Sequence, residues 1–162
     1  IFALQIARIC GAEVIATTSS DKKAAQLKEL GAAHVINYKT SPSWDDEVLA
    51  FTNGRGVDHV IEVGGAGTLD RSLKAVRMGG HVSLIGVLAA GGQFNPIPIL
   101  MKAIDVKGVF VGSRTMYEDM NRAVSLHKLK PVIDKVFPAS EIVGALEYLA
   151  SGQHFGKIVI KL

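Results

Sequence analysis

"AEVIATTSSDKKAAQLKELGAAHVINY", Ala12 to Tyr38, carries two different periods within one short span. It starts as a β-branched apolar run and changes after Ser20 to apolar residues at helical spacing, Ala24, Leu27 and Leu30. Gly31 ends that pattern, and a second short apolar run, "HVINY", follows. Runs that are apolar without alternation fit strands buried on both faces. A helix between two such runs is the crossover that a parallel pair requires. The stretch therefore predicts strand, helix, strand, and it decides the fold.

The same switching extends in both directions. Ile1, Leu4, Ile6, Ala7 and Ile9 fit the end of a helix closed by Gly11. "SWDD" at Ser43–Asp46 resembles a capping box that opens a helix through Phe51. "VDHVIEVGG" and "GHVSLIGVL" are two further strands separated by a helix over Leu69–Val76, and "DVKGVFVG" is another strand. Thr115 and Glu118 are expected to cap a helix whose Met116, Met120, Ala123, Val124 and His127 share a face. After Pro131 come a short strand near Ile133–Phe137, a helix from Ser140 to Ala150 and a last strand, "GKIVIKL". This pattern predicts an α/β fold with a doubly wound parallel sheet covered on both sides.

Composition excludes several classes. Of 162 residues, 48% are apolar and 20% charged, which suits a globular domain with a real core. The net charge of +3 is small and its lysines and arginines are scattered, so no nucleic-acid footprint is expected. The apolar run Val82–Ala90 is too short to span a bilayer, and no membrane association is expected. Cys10 is the lone cysteine, which rules out an internal disulfide and a Cys-rich metal cage. A reducing, cytoplasmic compartment is the expectation.

In a doubly wound sheet, ligands bind beyond the carboxyl ends of the strands. Here Gly64 and Gly65, Gly86, and Gly112 stand at three of those ends. A strand tip without a Cβ lets a flat ligand approach the backbone, although each glycine alone also reads as a turn residue. At the tip of the first strand, Thr17, Thr18, Ser19 and Ser20 stand where dinucleotide folds often place a ribose-reading carboxylate. Thr18 and Ser19 can donate to phosphate oxygens, and Lys23 brings a cation one turn into the helix. Ser20 as a plain helix cap is the alternative. Glu62 reads as a carboxylate that orients a loop or binds a ribose hydroxyl. The five histidines form no i,i+4 pair and no cluster with the lone cysteine, and they read as strand-edge and surface residues rather than metal ligands.

Taken in order, "GAEVIATTSSDKKAAQLKELGAAHVINYK", "GRGVDHVIEVGGAGTLDRSLKAVRMGGHVSLIGVL", "VKGVFVGSR" and "HFGKIVIKL" resemble the medium-chain dehydrogenase/reductases. Within that superfamily they look closest to the zinc-type alcohol dehydrogenases and their quinone-oxidoreductase relatives. The resemblance runs over essentially the whole chain and implies a Rossmann-like fold. It also implies hydride transfer between a nicotinamide cofactor, NADP more than NAD, and an alcohol/carbonyl pair. Small-molecule alcohols, aldehydes, ketones or quinones are the implied substrates. A zinc-free quinone or enoyl reductase and a non-catalytic nucleotide-binding module are the alternatives.

Residue by residue, the resemblance implies that Thr18, Ser19 and Lys23 bind the adenosine ribose end, with Tyr38 lining that side. Gly64 and Gly65 face the middle of the cofactor. Gly86, Val87 and Leu88 flank the nicotinamide carboxamide, with Phe110, Val111 and Gly112 opposite. The strand "KGVFV" is implied to pair across a two-fold axis, giving a homodimer or tetramer. Relatives place a G-x-G-G-V fingerprint and a central first strand ahead of "IFALQIAR". A catalytic domain with the zinc ligands and the proton relay lies further upstream, so no catalytic residue is expected within this chain. Residues 1–130 are then a dinucleotide-binding domain truncated at its N-terminus, and 131–162 a return segment packed on the catalytic domain. On this view "EVIATT" and "DHVIEV" do not pair, "KIVIKL" is an edge without a partner, and the chain made alone aggregates or forms a loosened globule and is inactive.

Overall fold

The computed structural model describes residues 1–87 and 95–162. In chain order the elements are α1 Phe2–Ile9, β1 Ile15–Thr18, α2 Asp21–Glu29, β2 His34–Asn37, α3 Trp44–Phe51, β3 Val57–Glu62, α4 Leu69–Ala75 and β4 Val76–Leu84. Then come α5 Ile97–Lys102, β5 Asp105–Gly108, α6 Arg114–Leu126, β6 Ile133–Pro138, one 3₁₀ turn at Ala139–Glu141, α7 Ile142–Ala150 and β7 Lys157–Lys161. Every strand pairing is parallel, as helical crossovers demand. The fold is α/β and Rossmann-like.

The strands form separate ladders, β1-β2, β3-β4-β5 and β6-β7. No backbone pairing joins β1 to β3 among the described residues. Helix α3 bridges them instead: Val48 packs with Ile36 of β2 and Ala75 of α4, and Ile15, Trp44 and Val57 close around that core. An ion pair reinforces the bridge. Asp45 of α3, 1% exposed, accepts from Arg71 of α4, and Lys74 lies 3.8 Å from its other oxygen.

Two further cores hold the ladders to their helices. Leu73, Val76 and Val82, all fully buried, pack with Ile104 between β3–β5 and α4–α5. Each such side chain contributes roughly 1.5–3 kcal/mol by leaving water. Leu4, Leu27 and Ala32 join α1 and α2 over β1–β2, and Phe155 from the C-terminal segment packs against them. Lys102, ending α5, donates to the carbonyls of Leu73, Lys74 and Val76 and so covers the C-terminus of α4. Such a cation completes orphan helix carbonyls.

Several expectations need correction. The sheet is not covered on both sides in this chain: Ile61, Ile85 and Val109 are each about two-fifths exposed. Helix α6, with the apolar face that the spacing predicted, buries none of its residues. Its cap is Ser113, whose hydroxyl accepts from Met116 N–H, and not Thr115. Ser43 precedes α3 but makes no side-chain cap bond, and Ser41 donates to Glu47 nearby. The strand expected over "DVKGVFVG" stops at Gly108. "KIVIKL" is not without a partner: Lys157 to Lys161 pair with Ile133 to Pro138.

Candidate functional site

The carboxyl ends of β3, β4 and β5 lie side by side. Ile85 and Gly86 N–H donate to the Glu62 carbonyl, at 2.9 and 3.0 Å, and Val109 N–H donates to Leu84 O at 2.9 Å. The glycines let these tips close up. Gly65 has a φ of +85°, and a Cβ on it would stand 2.8 Å from the Gly86 carbonyl oxygen. A Cβ on Gly86 would fall on the Val63 carbonyl. Gly64 has Thr68 where its Cβ would be. Gly65 and Gly86 are therefore required by backbone contact within the chain, and Gly64 by the Thr68 side chain. A valine at Gly86 would therefore disturb the fold itself. Gly112 differs, since the nearest atom to a Cβ there is 3.9 Å away on Met116.

Beyond the tips the surface is apolar and open. Val87 is 88% exposed, Phe110 97% and Val111 74%. Leu88, expected beside Val87, lies outside the described residues.

Glu62 ends β3, and its carboxylate faces inward rather than toward a ligand. Its Oε1 accepts from Gly64 N–H (2.7 Å), Gly65 N–H (3.0 Å) and Thr68 Oγ1 (2.6 Å), and Oε2 accepts from Ser72 Oγ. The loop-orienting reading is the one the geometry supports, and ribose binding is not. The hydroxyls at Thr68 and Ser72, one helical turn apart just after the glycines, were the readable signal for this arrangement.

The other group of candidates gathers at the tips of β1 and β2. Thr18 is buried, and its carbonyl accepts from Tyr38 N–H at 2.9 Å, which sets Tyr38 beside it with a half-open ring. Ser20 caps α2, accepting from Lys23 N–H at 3.4 Å, so the plain-cap reading holds for Ser20. Ser19 lies between Thr18 and the cap. The Lys23 ammonium donates to the Gly152 carbonyl at 2.6 Å, a partner with no trace in the local sequence. A carboxylate does stand near this tip, Asp21, but Asn37 Nδ2 holds it at 2.7 Å. Thr18, Ser19, Lys23 and Tyr38 are thus neighbours, and Gly64, Gly65, Gly86, Val87 and Phe110–Gly112 form a second group on the other ladder.

Two of the histidines meet across neighbouring strands. His59 and His81 face each other across β3 and β4, ring centroids 4.6 Å apart. His59 Nε2 meets Ser83 Oγ at 2.8 Å, and His81 Nδ1 meets Asp105 Oδ2 at 2.7 Å. Burial, then the neighbouring His81, holds the His59 ring below its ordinary value. Strand register, invisible to a search for i,i+4 pairs, brings them together. Among the described residues no group of three or more His, Cys, Asp or Glu is placed to hold a metal ion. No described helix is long and apolar enough to cross a membrane.

The chain is similar to a large set of known proteins. A zinc-type alcohol dehydrogenase-like protein of Schizosaccharomyces pombe is 43% identical over 99% of this chain and 48% of its own length. A solved structure from Sinorhizobium meliloti 1021 superposes at a TM-score of 0.92 with 42% identity, over 99% of this chain and 47% of that one. The structure of an NAD-dependent alcohol dehydrogenase follows at 0.89 and 32%, over 99% of this chain and 47% of that one. The chain thus spans about half the length of the relatives it matches. Residues 1–126 match the zinc-binding dehydrogenase family, and the chain belongs to that family.

Proposed function

We propose that this chain is the dinucleotide-binding part of an alcohol dehydrogenase-like oxidoreductase that moves a hydride between NADP(H) and an alcohol/carbonyl pair. The observation that carries the reading is the ledge at the tips of β3, β4 and β5. Backbone meets backbone at Gly65 and Gly86, and exposed Val87, Phe110 and Val111 leave apolar area beside it. A flat ring can lie there with water excluded from one face. Family membership supports the same conclusion.

At the other ladder, the Thr18 and Ser19 hydroxyls can donate to a ribose or its phosphate, and Lys23 supplies positive charge once it leaves Gly152. Tyr38 offers a ring face next to them. A nearby carboxylate, Asp21, is held by Asn37, which reduces its repulsion of a 2′-phosphate. These features favour NADP over NAD.

The bound dinucleotide would supply or accept the hydride, and this chain would bind and orient it. No proton transfer is assigned to it: the Glu62 carboxylate is committed to its own loop, and His59 and His81 sit away from the strand tips. Among the described residues those fit for zinc are not grouped, and a catalytic zinc would be held elsewhere in the complete protein.

Fluorescence titration of the complete gene product with NADPH and NADH tests the reading. Tighter binding of NADPH, with carbonyl-dependent oxidation of it, is expected. A protein that binds neither dinucleotide would overturn it.

A further inference from the structure

We propose that Glu62 is a positioning residue for the nicotinamide half of the dinucleotide, an inference that rests on the cofactor reading above. Glu62 is 3% exposed, yet it organises two strand tips at once. Its main-chain carbonyl accepts from Ile85 and Gly86, the residues that follow β4. Its carboxylate gathers Gly64, Gly65, Thr68 and Ser72, which follow β3. The ledge between Gly65 and Gly86 is therefore fixed from both sides by one residue.

Consecutive amide N–H groups converging with a hydroxyl form the kind of concavity that takes a phosphate oxygen. In this chain Glu62 Oε1 fills it. The turn after β3 consequently contributes shape and not anion binding, and a dinucleotide's phosphates must be held by other groups. What Glu62 sets is the position of the Gly86 and Val87 backbone, the part of the ledge assigned to the nicotinamide carboxamide. Bonds to an ionised acceptor are stronger and shorter than neutral ones, so loss of the charge loosens every one of them together.

The experiment compares complete wild-type protein with Glu62→Gln, Thr68→Val and Ser72→Ala, using NADPH and adenosine 2′,5′-bisphosphate as probes. The second probe occupies only the adenosine end. In Glu62→Gln, NADPH affinity should fall about tenfold while the bisphosphate stays within about twofold. Thr68→Val and Ser72→Ala each remove one hydroxyl and should lower NADPH affinity by roughly threefold with the same selectivity. These milder variants decide the matter if Glu62→Gln does not fold. Equal losses for both probes, or none in any variant, overturn the inference. Wild type that binds NADPH with no change in the variants sinks this inference alone, whereas wild type that binds no dinucleotide sinks the cofactor reading with it.

Discussion

The ammonium of Lys23 donates to the backbone carbonyl of Gly152, 2.6 Å away and 129 positions further along the chain. One cation thus ties the helix after β1 to the C-terminal segment, and it has a neutral acceptor that a phosphate can displace. Lys23→Ala should weaken NADPH by about ten- to hundred-fold and leave NADH nearly unchanged, the range for a charge-assisted contact. Titration of the complete protein with both cofactors reads this directly. Equal losses for the two would mean that Lys23 is only a strut to Gly152.

Gly86 and Gly112 should respond in opposite ways. Gly86→Ala drives a methyl into the Val63 carbonyl, so its cost should exceed the ~1–3 kcal/mol of ordinary overpacking. Gly112→Val makes only ordinary van der Waals contact with Met116 and should melt within about 0.5 kcal/mol of wild type. If Gly112 borders the cofactor, NADPH binding should fall in that well-folded variant. Unchanged affinity would remove Gly112 from the ledge.

The bridge between α3 and α4 carries a buried charge. Arg71→Ala leaves Asp45 with Lys74 alone at 3.8 Å, and should cost about 3 kcal/mol or more, as expected for a stranded buried carboxylate. Arg71→Ala/Asp45→Leu should recover part of that loss, because the uncompensated charge is gone. Urea melts of the single and double variants provide the test, and a double variant worse than the single would contradict it.

His59 predicts a pH dependence. Its folded value lies below the ordinary 6.5, from burial first and the nearby His81 second. As pH falls through 6.5 the unfolded chain takes up this proton before the folded one does, so stability present above that value is lost on acidification. The groups that face His59 are His81, Ser83 and, through His81, Asp105. Between about pH 7.5 and 5.5 the melting temperature should fall less in His59→Gln than in wild type. Parallel pH profiles would assign the loss to other groups.

The 162-residue chain made by itself should self-associate. Phe110, Val87, Leu100 and Leu126 are more than three-quarters exposed, and β5 is an unpaired edge next to Val109–Val111. Size-exclusion chromatography should show species well above 17.2 kDa, and a sharp monomer peak would contradict this. In the complete protein the same edge is the expected two-fold contact, so a charge placed at Val109 should shift the oligomer toward monomer.

Period-based reading served where local physics decides. The β1-α2-β2 unit emerged from Ala24, Leu27 and Leu30 between two apolar runs, with Gly31 at φ +92° closing the helix. It served poorly where the decisive partner is distant in sequence. Nothing near Lys23 points to Gly152, and nothing near His59 points to His81. Both depend on register and packing, which the order of residues along one element does not contain. The strand at "VFVG" failed for a related reason: its residues have strand propensity, but among the described residues the pairing with β4 ends with Val109 N–H on Leu84 O.

The α3 bridge has a consequence for how the molecule breathes. The β1-β2 and β3-β4-β5 ladders are joined by side-chain packing around Val48 and not by shared amide bonds. Cooperative opening units tend to follow such seams. Amide hydrogen exchange should therefore resolve two protection classes in the 162-residue chain, with Val48→Ala lowering the slower class toward the faster. A ligand that spans both ladders would fuse them into one exchanging unit, so dinucleotide binding should register as slowed exchange in strands it never touches.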